Sequence, residues 1–211
     1  MSRFLPLFPL NIVVFPGEKL NLHIFEPRYR QLILECEAND STFGIPVYLE
    51  KGVGDYGTEI KILGIEKKYL SGEMDIKTKG LGIFKIKEFQ RQVPGRLYSG
   101  GEVEDLEIIQ DEEPLQRVQI LELLRQLYSA LGIQKLMLNL PDNFKSYDVA
   151  HHLGFSTEQE YALLQCLRES ERLEIILDHL TKILPVVLET ERLKERVKLN
   201  GHFKHLPPPN F

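Results

Sequence analysis

In the first half of the chain the apolar residues come in short runs. Phe43 to Leu49, Thr58 to Glu66 and Ile83 to Phe89 are rich in Ile, Val, Phe and Tyr, and glycines at 44, 52, 54, 57, 64, 72, 80, 82, 95, 100 and 101 punctuate them, which predicts short strands from Arg3 to about Ile109. One segment breaks this texture. Phe25, Tyr29, Leu32, Ile33 and Cys36 recur at helical spacing, and Pro27 stands where a first helical turn accepts it, so one short amphipathic helix is expected within a β region.

From Glu112 the period becomes helical. Asp111, Glu112 and Glu113 put negative charge ahead of Pro114, and Leu115, Val118, Leu121, Leu124 and Leu127 follow as an apolar stripe. Ser146 is read as the cap of a short helix through Val149 and Leu153 that stops at Gly154, and Ser156 with Gln159 forms a capping box for the next. A longer helix is expected from about Ser170, with Leu173, Ile176, Leu177, Leu180, Ile183 and Leu184 as its stripe and Pro185 as a kink or stop. Residues 1–110 thus read as a β subdomain, 111–200 as a helical bundle, and 201–211, ending in Pro207, Pro208 and Pro209, as an extended tail.

Motifs that carry chemistry have plainer accounts. Gly52-Val53-Gly54-Asp55-Tyr56-Gly57 fits G-x-G-x-x-G, but the following segment alternates as a strand rather than opening a helix, so the glycines read as a loop joining two strands. Neither a phosphate-cradling G-x-x-x-x-G-K-[ST] nor a G-x-S-x-G nucleophile elbow occurs. C-x-x-C and H-E-x-x-H are absent; His151 and His152 point about 100° apart on a helix, and His202 and His205 lie in the tail, so these read as solvated or tail histidines, His23 just before the first helix reads as packing or a turn hydrogen bond, and no metal or cofactor is expected. Glu102, Glu104, Asp105 and Glu107 alternate with apolar residues like the wet face of an edge strand. The mixed-sign run Glu189 to Lys198 reads as a solvated helix face.

Composition narrows the classes further. A chain of 211 residues with 43% hydrophobic and 27% charged residues can bury roughly 70% of its unfolded surface without a staple. The net charge of −5, from 26 basic and 31 acidic residues, argues against general phosphate-backbone binding. Two distant cysteines, Cys36 and Cys166, read as free thiols of a reducing compartment. Pro6 and Pro9 interrupt the apolar start that a signal peptide needs, and no window approaches 18 uninterrupted apolar residues, so a cytoplasmic location without membrane contact is expected.

Three linked blocks carry a resemblance: Leu5-Pro6-Leu7-Phe8-Pro9-Leu10, then Val13-Val14-Phe15-Pro16-Gly17, then Leu20-Asn21-Leu22-His23-Ile24-Phe25-Glu26-Pro27-Arg28-Tyr29. In this order they resemble the Lon N-terminal (substrate-binding) domain family. Phe43-Gly44-Ile45 with Tyr56-Gly57-Thr58 is similar to its central hairpin, Lys79 to Ile86 to its glycine-turn strand, and Leu163-Leu164-Gln165 and Glu171-Arg172-Leu173 to its late helices. The resemblance implies an α+β fold, a PUA-like, mainly antiparallel β-barrel with one short helix, followed by an α-helical bundle. In full-length Lon proteases this region collects unfolded or tagged substrates, while ATPase and Ser-Lys peptidase modules do the work; this sequence carries neither, so a stand-alone, non-catalytic binding module is the expectation.

Within the resembling blocks, Phe8, Phe15, Phe25 and Tyr29 read as core aromatics, Glu26 and Arg30 are spaced for an i,i+4 pair, and Arg28 points elsewhere, toward a carbonyl or carboxylate. The expected ligand is an unfolded or extended polypeptide, held in a groove between barrel and bundle with Phe8, His23, Arg28 and Tyr29 as the candidate contacts, and with a separate protease or chaperone as a further partner. The alternative is RNA binding, as in other PUA-like barrels, through Lys67, Lys68, Lys77, Lys79, Lys85 and Lys87; sparse aromatics and the negative charge favour reading these lysines as a solvated sheet face.

Overall fold

The computed structural model describes residues 2–111, 114–141 and 143–202. Six strands, β1 (Ser2–Leu7), β2 (Lys19–Ile24), β3 (Phe43–Leu49), β4 (Gly52–Lys68), β5 (Met74–Gln90) and β6 (Ser99–Leu106), form a mixed sheet in the order β2-β5-β4-β3-β1-β6. The β1–β3 pair is parallel and the other pairings are antiparallel. An additional β5–β6 pairing closes a circuit of hydrogen-bonded strands through β5, β4, β3, β1 and β6. β6 is therefore paired on both sides rather than being the edge strand its alternation suggested; Arg3 on β1 instead ties Asp105 of β6 at 2.8 Å to Glu59 of β4 at 2.8 Å.

Helix α1 (Pro27–Ala38) has its proline in the first turn and turns Tyr29, Leu32, Ile33 and Cys36 inward. They join Phe8, Val14, Ile24, Phe43, Ile45, Ile60, Met74, Ile76 and Tyr98 in one core, while Leu5, Leu7, Phe84 and Val103 form a second. Phe25 departs from expectation: it is 60% exposed because it falls between the end of β2 and the start of α1, outside both periodicities. Arg28, not Arg30, pairs with Glu26 at 2.9 Å, while Arg30 donates to the carbonyl of Ser71 at 2.7 Å.

The glycine motif at 52–57 is not a loop. It forms the first part of β4, and the turn is made by Glu50 and Lys51, with Gly52 at φ +118°. Gly57 is required because a Cβ there would stand 2.5 Å from the carbonyl oxygen of Ile45 on β3. Gly80 and Gly82 likewise lie inside β5, where the register against β4 shifts, so the expected glycine turn is a bulge.

By contacts the chain divides into two units, Met1–Asp111 with Tyr147–Glu169, and Glu112–Ser146 with Ser170–Phe211. In the first unit the short helices α3 (Ser146–Val149) and α4 (Thr157–Gln165) accompany the sheet. The Ser156–Gln159 capping box opens α4, and Ile109 bonds both Leu167 and Glu169 through its backbone at 2.9 Å. Gly154 ends the preceding turn at φ +73°.

The second unit contains α2 (Pro114–Ala130) and most of α5 (Glu169–His202). Its core takes Ile120, Leu124, Leu127 and Tyr128 from α2 and Leu173, Ile176, Leu180 and Leu184 from α5. Leu115 and Val118 are exposed, because the buried stripe runs i, i+4, i+7, i+8 from Ile120 and leaves the first turn outside. Ser146 is buried and its hydroxyl accepts a hydrogen bond from Arg172 Nε at 2.9 Å. α5 continues through Pro185 to His202, so the proline does not stop it; a proline removes one backbone donor from a helix, and the flanking turns persist, with Thr181 and Thr190 bonding the carbonyls of Leu177 and Val186. The tail reading at 203–211 lies outside the described residues.

Candidate functional site

A cleft of about 600 Å³ opens in the first unit. Its origin is a parting of strands. β4 pairs with β5 only from Tyr56 onward, opposite Lys85, whereas β5 from Ile83 to Gln90 pairs with β6. The first residues of β4, Gly52 and Val53, keep their β3 partners Leu49 and Tyr48 but have no partner on the β5 side among the described residues. The cleft lies in that parting, with Lys51 to Asp55 on one side and Ile86, Phe89 and Arg91 on the other.

Its floor is an aromatic stack. The Arg28 guanidinium carbon lies 4.4 Å from the centre of the Tyr29 ring, which stacks on Phe8 at 3.7 Å. Phe8 in turn meets Phe43 of the core at 6.3 Å. Pro27 and the helical spacing put Arg28 at the rim and Tyr29 below it, and burial pushes the Tyr29 hydroxyl up from its ordinary range. Tyr48 and Phe89, 50% and 36% exposed, provide apolar surface on the walls.

Three cations line the cleft, Arg28, Lys51 and Arg91, against one carboxylate, Asp55. The loop that carries Arg91 is held to α1 through Glu35, which accepts from Gln31 at 3.0 Å, from Tyr98 at 2.7 Å and from Arg96 at 2.8 Å. Gln31 also accepts from the amide of Leu97 at 2.9 Å. Burial first, and the bond to Glu35 second, push the Tyr98 hydroxyl up to about 12. On the opposite side, the Tyr56 amide donates to Tyr161 of α4 at 3.0 Å, which marks where the unpaired stretch of β4 ends.

Of the four sequence candidates, Arg28 and Tyr29 line the cleft and Phe8 supports them from beneath. His23 does not join them. It is paired across strands with Asp75 at 2.7 Å, beside Phe25 and Tyr69, and its bond is the first cause holding the Asp75 carboxyl below the usual range. Tyr48, Lys51, Phe89 and Arg91, which also line the cleft, carry no sequence signal beyond their position at strand ends. Of the six lysines considered for RNA, Lys68, Lys77 and Lys87 meet Glu37, Glu66 and Glu104 at 3.4, 2.5 and 2.5 Å, and Lys67 and Lys85 lie over the rings of Tyr69 and Tyr56.

His151 is not a solvated histidine. Nδ1 lies 2.8 Å from Glu160 and Nε2 3.1 Å from Glu18, with the Phe15 ring centre 4.8 Å away. Both ring nitrogens face carboxylate oxygens, so the imidazolium is the form that satisfies them, and these bonds, Glu18 first, raise its pKa to about 9 despite partial burial. Among the described residues no group of three or more His, Cys, Asp or Glu side chains is placed to hold a metal, and Cys36 and Cys166 are not joined in a disulfide. No helix among them is long and apolar enough to cross a membrane.

Comparison with solved structures places this architecture. The fold matches a Lon N-terminal domain protein from Xanthomonas campestris with a TM-score of 0.65 and 27% identity, covering 83% of this chain and 98% of that one. It also matches the N-terminal domain of Lon protease from the Mycobacterium avium complex with a TM-score of 0.65 and 18% identity, over 85% and 98% of the two chains. The sequence model of the ATP-dependent protease La (LON) substrate-binding domain matches residues 4–182, and the chain therefore belongs to that family.

Proposed function

We propose that this protein is a non-catalytic binding module of the cytoplasm that recognises unfolded or extended polypeptide segments in protein quality control, and that the cleft beside β4 is where it does so. The parting of β4 from β5 is the observation that carries the reading. An extended peptide laid along the β5-facing side of Gly52 and Val53 would find backbone groups that β5 does not use there, which is the recognition mode of strand addition. Arg28, Tyr29, Tyr48 and Phe89 then supply flat surfaces for alternate side chains, an anchoring chemistry in which aromatic and arginine residues dominate. In this reading the closed strand circuit is a PUA-like barrel and α1 seals it beneath the cleft. Delivery of the captured segment to a separate protease or chaperone is the corresponding partner role.

The test is fluorescence anisotropy of a labelled, reduced and carboxymethylated polypeptide titrated with the protein. Saturable binding in the micromolar range is expected. Tyr48→Ala and Phe89→Ala, at exposed positions, should each weaken it by about fivefold, the loss of roughly 1 kcal/mol of anchor contact. No saturation at high micromolar protein overturns the reading.

A further inference from the structure

Charge distinguishes the cleft from the rest of the molecule. The whole chain carries more acidic than basic residues, 31 against 26, yet the cleft lining holds Arg28, Lys51 and Arg91 with Asp55 as its single carboxylate. Elsewhere on the sheet the cations are spent on neighbours: Arg3 on Asp105 and Glu59, Lys77 on Glu66, Lys87 on Glu104. Arg28 is half committed, bonded to Glu26 at 2.9 Å while its face lies against Tyr29. Lys51 and Arg91 have no carboxylate partner among the described residues, and they stand on opposite sides of the cleft, one at the β3–β4 turn and the other just past β5.

From this juxtaposition we infer that the cleft selects acidic extended peptides, with Lys51 and Arg91 holding Asp or Glu side chains on either side of a backbone laid along the β5-facing side of Gly52 and Val53. The inference rests on the peptide-binding reading and adds a substrate class to it. The geometry suits a peptide better than a nucleic acid. The Gly52–Val53 end of β4, unpaired on its β5-facing side among the described residues while Tyr161 lies against Gly54 and bonds Tyr56, offers amide and carbonyl groups that another polypeptide backbone complements. A phosphate backbone needs a longer track of unspent cations, and the lysines along β4 and β5 are largely occupied by Glu37, Glu66 and Glu104 or by tyrosine rings. Asp55 sets a limit on the same logic, since it disfavours a carboxylate placed directly opposite it and so fixes where along the edge the acidic side chains sit.

The experiment uses three labelled decapeptides that share alternating Val and Tyr positions and differ only in the intervening residues: Glu and Asp, Gln and Asn, or Lys. Anisotropy at low salt should rank them acidic, neutral, basic, with the acidic peptide about tenfold tighter than the neutral one, which is what two exposed ion pairs near the upper end of their usual worth supply together. Raising the salt to 0.5 M should shrink that ratio toward one. Lys51→Glu with Arg91→Glu, both at exposed positions, should invert the ranking so that the Lys peptide binds best, with an unchanged circular dichroism spectrum. Equal binding of acidic and neutral peptides, unaffected by the double reversal, overturns the anion selectivity and leaves peptide capture standing. No binding of any peptide overturns both. A random single-stranded RNA that binds tighter than the acidic peptide and is lost in the same double variant overturns the peptide as occupant.

Discussion

Replacing His151 by Gln tests how the short helices of the first unit are held to its sheet. In the wild type the imidazolium donates to Glu160 of α4 and to Glu18, just ahead of β2, and Glu18 also accepts from the Phe15 amide at 2.9 Å. The rise from 6.5 to about 9 corresponds to about 3 kcal/mol as an unscreened limit. The His151 side chain is 34% exposed and Glu18 27%, so water screens both bonds, and about 1–2 kcal/mol is the net contribution. Because the folded-state pKa is raised, this stabilisation is complete below pH 6.5 and is lost as pH climbs through 9. Gln keeps one donor and presents an oxygen to the other carboxylate, so the variant should lose about 1–2 kcal/mol at pH 6 and progressively less toward pH 10. The chain has eight tyrosines and no tryptophan, so urea unfolding followed by tyrosine fluorescence and far-ultraviolet dichroism is the appropriate assay. A wild-type–variant difference that is the same at pH 6 and pH 10 would refute the ion-pair account and assign the loss to packing against Phe15.

Other consequences follow from single contacts. Gly57→Ala forces a Cβ to within 2.5 Å of the Ile45 carbonyl and should cost at least about 2 kcal/mol, read as a lowered urea midpoint. Ser156→Ala removes one half of the α4 capping box and should cost about 1 kcal/mol, with faster amide exchange confined to the first turn of α4. Glu35→Gln removes the charge beside Tyr98, so the slowest tyrosine in an alkaline absorbance titration should move down from about 12 while burial still keeps it above 10. The same variant loosens the 91–98 loop and should weaken peptide binding without altering the sheet.

Much of the fold is legible in local pattern. The strand at Phe43–Leu49 has the predicted ends, the helix through Tyr29, Leu32, Ile33 and Cys36 opens on Pro27, and the Ser156 capping box forms as its spacing requires. Each of these depends on residues within a few positions of one another. What escaped the sequence depends on distance. The pairing of β6 with β1, added to its local pairing with β5, joins residues about a hundred positions apart, such as Ser2 and Glu104, so an alternation that suits an edge strand suits a doubly paired one too. His151 reads as solvated until Glu18, far upstream, is placed against it.

The site divides in the same way. Arg28 and Tyr29 stand within the family-like block and reach the cleft, whereas His23, five residues before Arg28, is carried by β2 to Asp75. Tyr48, Lys51, Phe89 and Arg91 carry no motif. They matter because β4 and β5 part company between them, and a parting of strands is a property of the whole register, visible only once Tyr56 is set opposite Lys85. The glycines at 52, 54 and 57, which invite a nucleotide reading, are explained instead by a tight turn and by close approaches to Tyr161 and Ile45.

Site-specific photocrosslinking tests the central claim most directly. A benzophenone side chain in place of Tyr48, on the cleft wall, is compared with one in place of Leu70, which is fully exposed but not among the cleft-lining residues. With an unfolded, labelled polypeptide in solution, the Tyr48 position should crosslink in a saturable manner that excess unlabelled polypeptide abolishes, while the Leu70 position gives only background. Equal labelling at both positions, or none at the Tyr48 position, contradicts the cleft as the site of polypeptide capture.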